Sequence, residues 1–290
     1  MAEFGVVEGG GTKFVLGIAD AVGGIRARHR IATTTPAETL DTAVTWFRGQ
    51  DLRPAAIGIA CFGPLQLDRA AADWGHVTRT VKPHWSGVDV AGPFARAFGC
   101  PVGFETDVNG AALAEIRWGA GRGHRSLLYV TIGTGVGGGF VADGQTLRGR
   151  SHPEMGHVRV PRHPHDKGFA GVCAFHGDCL EGLVSGPAIQ ARWGAPLSGL
   201  GQDHAAMIAW YLGQAVVTWQ AVLQPERIVL GGGVMETPGL LDRVRQAAAA
   251  AGGGYFAGDP REIVVAPGLG ADSGLLGAFE VAELALERAQ

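Results

Sequence analysis

Cys173-x-x-His176-x-x-Cys179 sets three metal-ligand side chains in seven residues, and His157 lies sixteen residues before Cys173. Two thiolates and two imidazoles complete a tetrahedral shell with no open position, so the pattern predicts a structural Zn2+ and not a zinc-activated water. A Cys173–Cys179 disulfide is the competing reading, disfavoured in a reducing compartment. Cys61 and Cys100 lack partners in the pattern and read as small core residues. His163, His165 and Asp166 could form a second cluster. Arg162 and Lys167 beside them, with Pro161 and Pro164, favour an ordinary polar loop.

Two glycine-rich turns carry a second kind of chemistry. Glu8-Gly9-Gly10-Gly11-Thr12-Lys13 follows an apolar strand-like run. Backbone N–H groups at Gly10 and Gly11 can face a phosphate, with a hydroxyl from Thr12 and charge from Lys13. The GxxxxGK[ST] spacing is absent and a strand follows instead of a helix, which excludes a Walker A loop. A plain β-hairpin is the alternative. Gly133-Thr134-Gly135-Val136-Gly137-Gly138 matches GxGxxG, yet a dinucleotide fold needs a helix to begin there. Phe140-Val141-Ala142-Asp143-Gly144 reads as strand then turn, so Gly133, Thr134 and Gly135 read as a second phosphate hairpin. Gly231, Gly232 and Gly233 follow a third strand-like run and would let a flat purine approach the backbone, or would be a plain strand-to-helix turn.

Asp107 stands where a strand over residues 102–105 gives way to a helix reaching residue 118. A carboxylate held there can accept a hydroxyl proton. It can equally be an N-cap, a role Thr106 could also fill.

These residues need rigid elements around them. Strands are expected at residues 4–7, 14–19, 56–61, 102–105, 126–132, 139–142 and 227–230, and helices at 37–47, 88–98, 107–118, 203–223, 240–251 and 272–288. Alternating strands and helices imply α/β. The strand–turn–strand unit occurs twice, which suggests duplication. The boundary is placed near residue 108, giving lobes 1–108 and 109–290, with the closing helix left able to pack back on the first.

The chain has 290 residues, 46% apolar and 18% charged, and is globular. Its net charge of −3 argues against a nucleic-acid partner. No basic-then-apolar leader is visible, and no apolar stretch reads as long and glycine-free enough to span a bilayer, so the cytoplasm is expected.

The two phosphate turns resemble those of the sugar kinase–actin–heat-shock ATPase superfold. Glu105-Thr106-Asp107-Val108-Asn109-Gly110-Ala111-Ala112-Leu113-Ala114-Glu115, Glu154-Met155-Gly156-His157 and Cys179-Leu180-Glu181-Gly182 resemble the ROK (repressor, open reading frame, kinase) family, in family order along nearly the whole chain. Phe62-Gly63-Pro64, Thr80-Val81-Lys82-Pro83-His84-Trp85 and Phe175-His176-Gly177-Asp178-Cys179-Leu180-Glu181-Gly182 resemble its bacterial fructokinase branch. The resemblance implies a two-lobed, actin-like (ribonuclease H-like) fold with a duplicated core and an interlobe cleft. It implies ATP with Mg2+ as phosphoryl donor and a hexose 6-hydroxyl as acceptor, fructose first. A glucokinase or mannokinase, or a sugar-responsive regulator without a DNA-binding domain, is the alternative. Asp107 becomes the base, and Asn109, Glu154, His157, Glu181 and Gly63 the sugar ligands. Glu8 stands where many relatives have Asp in the magnesium shell, and Thr106 where many glucose-using members have Asn. A homodimer is a family expectation.

Overall fold

The computed structural model describes residues 2–50 and 53–290. The first hairpin is β1 (Glu3–Gly9) and β2 (Lys13–Asp20), extended antiparallel by β3 (Ile25–Ala32). Then come α1 (Pro36–Gly49), β4 (Ala56–Cys61), α2 (Ala91–Phe98), β5 (Val102–Thr106) and α3 (Asp107–Trp118). A second hairpin, β6 (Ser126–Ile132) and β7 (Val136–Ala142), is extended by β8 (Gln145–Thr146). The chain continues through α4 (Leu180–Val184), α5 (Gly186–Trp193), α6 (Gln202–Leu223) and β9 (Arg227–Gly231). It closes with α7 (Leu240–Gly252), α8 (Pro260–Ile263), β10 (Val264–Val265) and α9 (Ser273–Glu287).

Two units are present. Unit 1 is Met1–Ala114, Leu147–His152 and Leu269–Gln290; unit 2 is Glu115–Thr146 and Pro153–Gly268. Their sheets repeat one plan, β3-β2-β1-β4-β5 and β8-β7-β6-β9-β10. In each, an antiparallel hairpin with a third antiparallel strand outside it is followed on the other side by two parallel strands. The duplicated two-lobed α/β fold expected from the sequence is therefore present.

Unit 1 packs α9 tightly onto its sheet. A Cβ on Gly58 would stand 1.8 Å from the Ala278 carbonyl oxygen, and one on Gly103 would stand 2.1 Å from that of Val281, so only glycine admits the helix. Phe4 meets Phe279 edge-on at 5.2 Å. On the opposite side Phe47 and Phe94 fill the core with Trp85, whose indole donates to the Thr34 carbonyl at 3.0 Å. The Lys82-Pro83-His84-Trp85 segment thereby braces Phe14 and Phe62, the residues beside the first turn and the Gly63 loop. Each such buried aromatic is worth about 1.5–3 kcal/mol in transfer.

Unit 2 is built around α6, with Ile208, Leu212, Val216 and Trp219 against Leu128 and Leu230. This 22-residue helix is long and apolar enough to cross a membrane by length and composition, though Gly213 divides its apolar run. Half of its apolar window is buried in the unit, as in a core helix. Gly213 lets α6 lie close on α7, since a Cβ there would press on Ala247 at 2.7 Å.

Candidate active site and metal centre

In unit 1 the parallel strands β1, β4 and β5 end side by side, with Gly9 paired to Cys61 and Cys61 to Thr106. The turn 10–13, the Gly63 loop and Asp107 therefore share one edge, the usual ligand-binding edge of α/β sheets. The turn is closed by Gly10 N–H donating to Lys13 O at 2.9 Å and by the Thr33 hydroxyl donating to Gly10 O at 2.7 Å. The Gly10 N–H is thus used within the turn, whereas Gly11, Thr12 and Lys13 are exposed. Glu8 lies just below. Burial raises its pKa, against the pull of Lys13, Arg28 and Arg30. Its carboxylate rests on the start of α9, where a Cβ on Gly274 would come within 2.2 Å of it.

Asp107 opens α3. The cap is Thr106, whose hydroxyl accepts from Asn109 N–H at 3.1 Å. Asp107 Oδ1 accepts from Val108 N–H at 2.9 Å. Across residues 102–115 every residue is buried except Asp107, which is partly exposed. Asn109 is 1% exposed, and its amide donates to Glu105 Oε1 at 2.9 Å. Glu105, which sequence reasoning did not single out, also accepts from Thr106 N–H at 2.9 Å and meets Arg148 Nη2 at 2.5 Å. Gly63 faces the buried ring of His152, whose Nε2 accepts from Leu65 N–H at 3.0 Å. No spacing signal links Arg148 or His152 to these partners. Cys61, beneath Gly9, is fully buried; burial first and Asp107 second push its thiol up, as befits a core residue.

In unit 2 the cysteine–histidine set converges. Nδ1 of His157 is 3.3 Å from Nδ1 of His176, 3.4 Å from Cys179 Sγ and 3.6 Å from Cys173 Sγ; Cys173 Sγ is 3.7 Å from His176 Nδ1. All four donor atoms lie within 4.8 Å of one another, the one such group among the described residues. Tetrahedral zinc with Zn–N near 2.05 Å and Zn–S near 2.3 Å requires N···N of about 3.3 Å and N···S of about 3.6 Å. The donor set fits the ion. Neither cysteine is in a disulfide. The other ring nitrogen of His157 faces Glu154 Oε2 at 3.9 Å, and Glu154 is exposed.

The same unit holds the second turn. Gly133 N–H closes onto Gly135 O at 2.9 Å, leaving Thr134 exposed. Strand β7 starts at Val136, so the turn is shorter than its glycine run. Glu181 Oε2 accepts from Val136 N–H at 3.0 Å. The 3-10 turn Met155–His157 lies flat on β7, since a Cβ on Gly156 would sit 1.8 Å from Val136 O. Gly231, Gly232 and Gly233 end β9 beside Ile132, and Val234 N–H donates to Ile132 O at 3.0 Å. Gly232, at φ +90°, would put a Cβ 2.4 Å from that oxygen. The second and third glycine clusters are therefore neighbours on one sheet edge.

Asp166 departs from the polar-loop expectation. It is buried, accepts from Tyr211 OH at 2.6 Å and pairs with Arg192 at 3.1 Å and Arg162 at 3.3 Å. Its neighbours in sequence concealed partners that only folding supplies. His163 and His165 stay outside any metal group among the described residues.

A family model described as ROK family matches residues 4–285. The chain belongs to the ROK family. This ROK chain is 49% identical over 288 residues to the fructokinase of Zymomonas mobilis, covering 96% of each. It superposes on the ROK hexokinase from Thermus thermophilus with a TM-score of 0.80 and 28% identity, covering 99% of both chains. It superposes on a ROK family glucokinase from Streptomyces griseus, in complex with glucose and AMPPNP, with a TM-score of 0.76 and 27% identity, covering 98% of this chain and 100% of that one.

Proposed function

We propose that this ROK protein transfers the γ-phosphoryl group of ATP to the 6-hydroxyl of D-fructose. Its 49% identity to the Zymomonas mobilis fructokinase supports the substrate. The observation that carries the chemistry is the division of labour at the start of α3. Thr106 performs the capping, and Asp107 is the one residue of the run 102–115 that is not buried.

In this reading Asp107 accepts the proton of the sugar hydroxyl as its oxygen attacks the γ-phosphorus and ADP departs. Gly63, Asn109 through its Oδ1, Glu154, His157 and Glu181 bind sugar hydroxyls; each carboxylate can accept two hydrogen bonds. In unit 1, Gly11, Thr12 and Lys13 present donors to phosphate, with Gly10 shaping the turn. In unit 2, Thr134 and Gly135 do the same above Gly133, and Gly231, Gly232 and Gly233 receive the adenosine. Magnesium on the ATP phosphates supplies charge neutralisation, and Glu8 would hold its water shell. His157, Cys173, His176 and Cys179 would hold zinc, which ties together the segment carrying Glu154 and Glu181.

Four free thiols fit a reducing cytoplasm. A homodimer fits α6 at Val222, which is 70% exposed. Light scattering reading one chain per particle would remove the dimer.

Asp107→Asn tests the base. Turnover should fall roughly 10²–10⁴-fold with smaller changes in either KM. Near-normal turnover would leave Asp107 a structural residue.

A further inference from the structure

The segment Leu147–His152 belongs to unit 1, although the chain on both sides of it belongs to unit 2. It brings Arg148 to Glu105. The Glu105 side chain is 4% exposed, and a buried carboxylate is costly unless paired and hydrogen-bonded. Both oxygens are engaged. Oε2 meets Arg148 Nη2 at 2.5 Å, while Arg148 Nη1 donates to Leu67 O at 3.3 Å. Oε1 accepts from Thr106 N–H and from Asn109 Nδ2, both at 2.9 Å. Those two donors straddle Asp107. The Thr106 hydroxyl adds a third tie by accepting from Asn109 N–H. One carboxylate thus clasps the strand-to-helix corner from both sides of Asp107, and Arg148 is a cation that helps hold that carboxylate in place.

We propose that Arg148 is a positioning residue for phosphoryl transfer: it fixes Glu105, and Glu105 fixes the corner that aims Asp107. The premise is that Asp107 is the base. A base must lie within hydrogen-bond reach of its proton, and a displacement of about 1 Å can cost about 10²-fold in rate. Without Arg148, Glu105 loses this ion pair while it stays buried, and its Oε2 is free to shift. The corner then loses its clasp while the ATP-binding turns keep their own bonds.

Steady-state kinetics on the full chain test this with Arg148→Met, Arg148→Lys, Glu105→Gln, Asp107→Asn and the double variant Arg148→Met/Asp107→Asn. Arg148→Met should lower kcat at least about tenfold and leave KM for ATP within about threefold. Arg148→Lys, which keeps the charge, should recover much of the loss. Residues that act as a unit are non-additive, so Arg148→Met should cost under about twofold once Asp107 is Asn. Should Arg148→Met not fold, Glu105→Gln answers the same question: it should lower kcat alone and cost under about twofold once Asp107 is Asn. Asp107→Asn losing turnover while Arg148→Met, or Glu105→Gln in its place, keeps it would overturn the clasp and spare the base. Losses that multiply in the double variant would likewise overturn it. Near-normal turnover for Asp107→Asn would overturn the base, and the clasp with it.

Discussion

Glu181 accepts the backbone N–H of Val136 at 3.0 Å, joining the helix after the last cysteine to the second glycine turn. One oxygen of a proposed sugar ligand is therefore committed to a proposed phosphate loop. Gly135 also lies under it, since a Cβ there would stand 2.7 Å from Glu181 Oε2. Glu181→Ala should raise KM for fructose at least about tenfold, the cost of a lost charged hydrogen bond, and KM for ATP by a smaller factor. An unchanged KM for ATP would show that the bond to Val136 does not support the nucleotide.

The cysteine–histidine geometry predicts about one zinc per purified chain. Cys179→Ser should lose the metal, lower Tm and raise KM for fructose, because the ion would tie His157 to the 173–179 knuckle, between Glu154 and Glu181. In the metal-free chain burial, with Cys173 beside it, pushes the Cys179 thiol up to about 11, so zinc uptake must expel its proton. Zinc affinity should therefore rise with pH. Metal analysis finding no zinc and a Cys173–Cys179 disulfide would contradict this.

Glu8 gives a prediction in pH. Its folded pKa is raised above 4.5 by burial, so the folded chain binds more protons than the unfolded chain in the window just above 4.5. That contribution to stability is present below 4.5 and is lost as pH rises through the raised value. Glu8→Gln should therefore increase Tm at pH 7, with the gain vanishing at pH 4. The same change should weaken the magnesium dependence of the rate. Thermal scans showing a lower Tm at pH 7 would mean that Lys13, Arg28 and Arg30 outweigh the burial.

Much of this was legible in the residues because the signals are local. The paired glycine turns, the seven-residue cysteine–histidine knuckle and the corner at Asp107 all declare themselves within a few positions. Strand β3 did not, although Ile25, Ala27 and Ile31 alternate with Arg26, Arg28 and Arg30, because His29 breaks the apolar face of this edge strand and leaves no run of apolar residues to mark it. Nor did the Arg148–Glu105 and Asp166–Arg192 pairs, whose partners are 43 and 26 positions apart and meet only through topology. The sequence left Asp107 open between cap and base. What favours the base is the bond that the Asn109 N–H donates to the Thr106 hydroxyl, which no spacing rule assigns to one residue over its neighbour.

A coupled assay of ADP release over a hexose panel reads out which sugar this kinase prefers. Fructose differs from glucose in ring size and at the anomeric carbon, so Glu154 and Glu181 would meet different hydroxyls. One buried polar group left unpaired costs about 1–3 kcal/mol, which is roughly 10–100-fold in kcat/KM. The predicted result is a kcat/KM for fructose at least about tenfold above that for glucose, with mannose also weaker. Equal values, or a preference for glucose or an N-acetylated amino sugar, would contradict it.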